Sequence, residues 1–153
     1  MVQDKNRLTE IEINALLKDG QVGYLALAKE GQPYLVPLNF LYEKGSIYFH
    51  CNPEGRKIDY IRANPKGCFH TGEAGGLISG DNPCSHNYSF RSVIVEGTVE
   101  EIVDPAEKEN ILRLITAKYA TVQMAEGAIS AKRMATTGVY RVIPSLISGK
   151  RNS

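Results

Sequence analysis

The chain has no apolar run near the roughly 20 residues a helix needs to cross a bilayer. Its polar start, Met1-Val2-Gln3-Asp4-Lys5-Asn6-Arg7, lacks the apolar segment of a secretory signal. Cysteine is scarce. Cys51, Cys68 and Cys84 are an odd set of 3 without the density of a disulfide scaffold, which fits a reducing compartment. A cytoplasmic location with no membrane partner is the resulting expectation. There is almost no excess of charge: 18 basic and 17 acidic residues leave a formal net charge of +1. That balance argues against bulk electrostatic binding to nucleic acid. Repeats and low-complexity segments are absent, and no serine stands on the glycine-flanked elbow of a hydrolase.

What is present is ordinary globular composition. With 153 residues, 42% hydrophobic and 23% charged, the chain suits one domain over residues 1–153 with a real core. Thr9-Glu10-Ile11-Glu12 is a capping box for a helix over about Glu10 to Lys18. Val22 to Ala28, Tyr34 to Tyr42 and Ile47 to His50 read as strands joined by turns at Lys29-Glu30-Gly31-Gln32 and Glu43-Lys44-Gly45-Ser46. A strand is expected over Gly67 to Thr71, and a loop over Gly72 to Tyr88 with 4 glycines and 1 proline. A long strand from Arg91 to Val103 has Gly97 as a bulge or bend. Asp104-Pro105 opens a helix to Tyr119, Gln123 to Ala135 leans to a short helix, and Val139 to Ile147 is the last strand. The sum is an α+β fold built on an antiparallel barrel.

The most informative stretch is His50-Cys51-Asn52-Pro53-Glu54-Gly55-Arg56-Lys57. Asn52 suits an N-cap and Pro53 the first position of a helix running to about Asn64-Pro65. A helix start exposes unpaired N–H groups and partial positive charge, so carboxylates belong there. Here Arg56 and Lys57 stand instead, whereas the helices after Thr9 and Asp104 start with acids. A bound phosphate would offset the three positive contributions. The plainer alternative is a solvated basic turn with Glu54 as its partner.

Other polar residues allow two readings each. Pro37 in an apolar strand places that strand at an edge or beside a cleft, and Asn39 needs a partner if buried. A planar polar ligand could lie along it. His50 either contacts a ligand near the cationic helix start or closes its strand. Cys68-Phe69-His70 and Cys84-Ser85-His86 offer possible ligands, but two Cys-x-His pairs do not match the spacing of familiar structural zinc sites. No metal site is expected.

Read in order, these segments resemble the flavin-binding split-barrel superfamily that includes pyridoxamine 5′-phosphate oxidases, and within it the branch of nitroimidazole-resistance (Nim) proteins. The similarity lies in Gly23-Tyr24-Leu25-Ala26, Gln32 through Phe40, Ile47 through His50, Glu54-Gly55-Arg56-Lys57, Asn64-Pro65-Lys66 and Arg91 through Gly97. It implies a six-stranded antiparallel split β-barrel with peripheral helices. It further implies a homodimer with FMN in clefts between the subunits. Val36, Pro37, Leu38 and Asn39 then run past the flavin ring and ribityl chain, with Phe49 and His50 also against it. Arg56 and Lys57 match phosphate-binding cations, and Ser92 a polar flavin contact often contributed across the dimer. A histidine at the His50 position is associated with the reaction centre in the Nim branch.

Pyridoxamine phosphate oxidases hold their substrate with basic and aromatic residues near the C-terminus, whereas this chain ends Ser148-Gly149-Lys150-Arg151-Asn152-Ser153. That departure argues against vitamin B6 oxidation. The leading expectation is an FMN-dependent oxidoreductase passing electrons from a reduced small-molecule donor to a small acceptor such as a nitroaromatic, with His50 as proton donor. The alternative is a non-catalytic flavin or haem carrier, with His50, His70 or His86 as an axial ligand. A deazaflavin is a third possibility.

Overall fold

The computed structural model describes residues 5–120 and 129–152. Helix α1 (Glu10–Asp19) starts at a complete capping box, in which Thr9 accepts from the Glu12 N–H and the Glu12 carboxylate accepts from the Thr9 N–H at 2.8 Å. Strand β1 (Gly23–Lys29) then turns into β2 (Gln32–Leu38) through Glu30 and Gly31. Strand β3 (Leu41–Glu43) turns into β4 (Ser46–Cys51) through Lys44 and Gly45. All four turn residues have positive φ. Two such residues in succession match the twist of the strands they join, which is why each turn ends on glycine. Helix α2 (Arg56–Ala63), β5 (Lys66–Ile78), a short 3-10 turn (Pro83–Ser85), β6 (Asn87–Glu101), α3 (Pro105–Tyr119), α4 (Ala131–Thr136) and β7 (Gly138–Asn152) follow.

The strands form one antiparallel sheet of seven, in the order β2-β1-β5-β6-β7-β4-β3, where six were expected. The extra strand arises at a single point in the chain. The expected strand Tyr34 to Tyr42 breaks at Asn39-Phe40, because Phe40 turns its ring into the core and is fully buried. Its backbone groups leave the ladder and find partners on α3. The Phe40 N–H donates to the Tyr119 hydroxyl at 2.9 Å, and the Phe40 carbonyl accepts from Lys118 Nζ at 2.8 Å. Tyr119 also donates to the Gln21 carbonyl at 2.7 Å.

Residues from both ends of the strand order share one core. Leu38, Phe40, Ile47 and Phe49 pack with Leu25, Phe69, Val93, Val95 and Val142, so the sheet curls upon itself. Helices α1 and α2 add Leu17, Ile58 and Ile61. A second cluster joins Tyr48, Ile102 and Val139 to Ile111, Leu112 and Ile115 of α3, so β4 is buried on both faces.

The segment from Gly72 to Tyr88 is a correction. Only its tip is a loop, since Gly72 to Ile78 continue β5 and pair with β6 as far as Ile78 opposite Asn87. Gly75 and Gly76 sit at a register shift between Ala74 and Leu77, and the arm is exposed on both faces, so no apolar alternation marks it. Gly97 does mark a register shift against β7, and a Cβ there would lie 2.1 Å from the Ile143 carbonyl oxygen. Strand β7 runs on to Asn152, beyond the expected Ile147. Of the helix expected over Gln123 to Ala135, residues 123–128 fall outside the described residues and α4 covers the end.

Tyr119→Phe removes the hydroxyl that accepts from the buried Phe40 N–H. Its unfolding free energy should fall by about 1–3 kcal/mol in a urea titration, with the m-value unchanged.

Candidate functional site

Strand β4 delivers the chain to the start of α2, which begins later than the sequence suggests. Asn52 is not its cap and Pro53 not its first residue: the helix opens at Arg56, with Gly55 as N-cap at φ 117°. Nothing lies within 4 Å of a Cβ built on Gly55, so its backbone conformation rather than packing demands glycine. The shift puts Arg56 and Lys57 in the first two helical positions, closer to the exposed amides than expected.

No side chain caps those amides. The other described α-helices are each capped: α1 by Thr9, α3 by Asp104 at 2.9 Å and α4 by Ser130 at 3.2 Å. Asp59 is the one acid in the first turn of α2. Among the described residues Glu54 forms no ion pair with Arg56 or Lys57. The α2 start therefore sets two cations and uncapped amides against a single acid, Asp59.

The two cations face different strands. The Arg56 guanidinium lies over the Tyr34 ring of β2 at 4.5 Å and the Tyr60 ring at 5.5 Å. Lys57 Nζ lies 5.8 Å from the Phe49 ring of β4. The helix start thus bridges β2 and β4 at the opening of the barrel. Tyr34 and Tyr60, whose rings sit 5.1 Å apart, were missed in the sequence. The signal was there, because Tyr34, Val36 and Leu38 alternate on one face of β2.

Next to Lys57 stands His50, whose side chain reaches solvent at the end of β4. Desolvation of its ring, and then the positive charge of Lys57, hold its pKa below the usual imidazole value. It is neutral near pH 7 and offers one donor and one acceptor. Burial raises the Cys51 thiol, and burial followed by Glu101 pushes Tyr140 up to about 12. Both stay protonated, so His50 is the group beside Lys57 suited to exchange a proton near neutrality.

Strand β2 is an edge, paired with β1 alone. Pro37 and Asn39 are exposed, Val36 is half-buried and Leu38 is buried in the core. Asn39 thus needs no protein partner. Phe49 is fully buried and stacked on Tyr140, with ring centroids 5.7 Å apart. Leu38 and Phe49 can offer a ligand only their backbone.

Ser92 lies elsewhere. It pairs with Lys150 of β7, whereas His50 pairs with Val139, so most of β7 separates them within one protomer. The Ser92 hydroxyl is 3.0 Å from His70 Nε2 and lines a cleft of about 650 Å³ with Ile94, Leu146 and Lys150. A second cleft of about 670 Å³ sits at the other end of α2 and contains none of the expected site residues.

A family model described as pyridoxamine 5′-phosphate oxidase matches residues 9–151. A Bacteroides thetaiotaomicron protein assigned to 5-nitroimidazole antibiotic resistance is 27% identical, with a TM-score of 0.79 over 94% of this chain and 84% of that one. A FAD-binding protein of Mesorhizobium loti is also 27% identical, with a TM-score of 0.69 over 95% of this chain and 96% of that one. The flavocytochrome Anf3 of Azotobacter vinelandii shares the fold at a TM-score of 0.86 and 23% identity, over 96% of this chain and 69% of that one. The match to a curated relative, an uncharacterized protein of Rhizobium meliloti 29% identical over 91 residues, takes in 60% of this chain and about half (53%) of that protein.

The electrostatics of His50 can be tested directly. Lys57→Met should raise the His50 pKa only part of the way to its ordinary value, because the larger cause, desolvation, remains. NMR titration of the imidazole would read this. A depressed folded pKa also means that the unfolded chain takes the proton first. Stability from this group is whole above the ordinary pKa and drains as pH falls through the folded one. The acid-side loss should be smaller in Lys57→Met.

Proposed function

The chain belongs to the pyridoxamine 5′-phosphate oxidase family, and on that premise we propose that it is an FMN-dependent oxidoreductase. In this reading it is one cytoplasmic domain that works as a homodimer and reduces a small acceptor such as a nitroaromatic. The observation that carries the proposal is the start of α2, where uncapped amides and two cations adjoin the free edge of β2. Those residues fit the phosphate of a mononucleotide. The FAD-binding neighbour supports a flavin, and the nitroimidazole-resistance neighbour supports the acceptor class.

The roles follow from the chemistry of each group. Lys57 and Arg56, with the first amides of α2, would hold the phosphate. Tyr34 and Tyr60 hold the Arg56 guanidinium in place by stacking. Val36, Pro37, Leu38 and Asn39 would line the ring, Pro37 and Asn39 through the unpaired backbone edge of β2, and Asn39 adds its amide. Phe49 forms the floor beneath Lys57. Neutral His50 would hold a proton for transfer to the acceptor. A bound flavin would supply the electron transfer itself.

Ser92 is too far along the sheet to serve its own protomer, so the reading assigns it to the site of a second copy. The outer sheet face supports this pairing. Tyr24, Leu35 and Leu146 are 43%, 63% and 56% exposed there, an apolar surface suited to burial against another subunit.

Purified protein should show flavin absorption bands, bind FMN more tightly than FAD and bleach under anaerobic NADH or NADPH. A colourless protein that takes up no FMN, or one with a Soret band, would overturn the proposal. Arg56→Ala with Lys57→Ala should weaken FMN binding by about 1.5–3 kcal/mol per charge-assisted contact while the thermal melt stays near that of the parent. Fluorescence quenching of FMN measures the loss, and unchanged affinity would place the phosphate elsewhere.

A further inference from the structure

The outer face of the sheet holds a polar pair of which the proposed function uses only one member, Ser92. His70 of β5 and Ser92 of β6 are both half-buried, and His70 Nε2 lies 3.0 Å from the Ser92 hydroxyl oxygen. The ring of Tyr24, from β1, flanks the imidazole at 6.3 Å between centroids. Gly72 stands opposite Ser92, and a Cβ there would come within 3.4 Å of His70 Nε2 and 2.6 Å of the Arg91 carbonyl oxygen. The backbone of β6 is what calls for glycine there, while the imidazole would be left in ordinary contact. On its other side Ser92 opens into the cleft of about 650 Å³.

A serine hydroxyl has one proton and two lone pairs, and left to itself it rotates among partners. A fixed imidazole neighbour removes that freedom. If Nε2 carries the proton, it donates to Ser92 and the hydroxyl proton is free to point into the cleft. If Nε2 is bare, it accepts the hydroxyl proton and leaves lone pairs facing the cleft. In the first case Ser92 keeps its proton and one lone pair for a ligand, and in the second it can only accept; in both the imidazole fixes the direction of the hydroxyl before the ligand arrives.

We propose that His70 is a positioning residue, which orients the Ser92 hydroxyl toward the polar edge of the flavin held at the subunit boundary. This rests on the cofactor reading above, in which Ser92 serves the site of the second copy. His70 itself touches no ligand. Its effect passes through one hydrogen bond, so the two residues act as a unit.

The test is a double-mutant cycle with a rescue. Ser92→Ala and His70→Leu should each weaken FMN binding by roughly two- to tenfold, as expected for loss of one neutral hydrogen bond. The double variant should be no weaker than either single one. His70→Gln, which keeps a side-chain polar group near Ser92, should restore much of the affinity that His70→Leu loses. In the protein without cofactor, Ser92→Ala should move the His70 imidazole resonances in an NMR titration. Wild-type affinity in His70→Leu beside a loss in Ser92→Ala, fully additive losses, or unmoved His70 resonances would each overturn the proposal and leave the cofactor reading intact. Failure of the parent protein to bind FMN would instead overturn both.

Discussion

A fully buried residue outside any strand must still satisfy its backbone, and at Phe40 that requirement shapes the molecule. The ring anchors the core while its N–H and carbonyl are taken by Tyr119 and Lys118 from the end of α3. Lys118 accepts a cost for this, since burial lowers its pKa although Asp19 opposes the shift. Two further donations, from Lys118 to Gly20 and from Tyr119 to Gln21, tie the end of α1 to the same point. With the chain broken there, β2 and β3 become opposite ends of one strand order. The barrel is held closed by side chains across the break, and β2 keeps a bare edge beside α2.

The start of α2 sets positive charge and uncapped amides beside that opening, the features the proposed phosphate site needs. Stacking on Tyr34 and Tyr60 fixes Arg56 without neutralising it, and the same holds for Lys57 above Phe49. Aromatic faces attract a cation without cancelling its charge, and Arg56 spends one hydrogen bond on Tyr60 as well. A carboxylate in their place would fill the site. Desolvation of its ring, seconded by the positive charge of Lys57, keeps His50 neutral beside this start.

The turn chemistry, the capping boxes and the amphipathic pattern of α3 were legible in the sequence because each rests on contacts a few residues apart. Thr9 with Glu12, Lys44 with Gly45 and Asp104 with Glu107 need nothing distant. The break at Phe40 was hidden because its cause lies on a helix about eighty residues downstream. The β5–β6 arm was hidden because it is exposed on both faces, with no buried side to write a period into the side chains. For the candidate site, the cation pair and the edge strand could be read, since proline and helix-start charge carry their meaning locally. Asn52 was mistaken for the cap because the left-handed backbone of Gly55 is invisible to propensity. The pairing of His70 with Ser92 depends on strand register, which no local pattern states.

The free edge of β2 has a consequence for the protein in concentrated solution. An open row of amides and carbonyls invites a strand from another molecule, and such growth leads to aggregates. Pro33 and Pro37 sit opposite Ala28 and Tyr24 in the β1 ladder, four residues apart and so on the same side of the strand. Neither has an N–H to offer, so the outward row lacks a donor at two places. A flat molecule that needs only a few contacts can still lie along the edge, while a polymerising strand that needs the whole row is turned away.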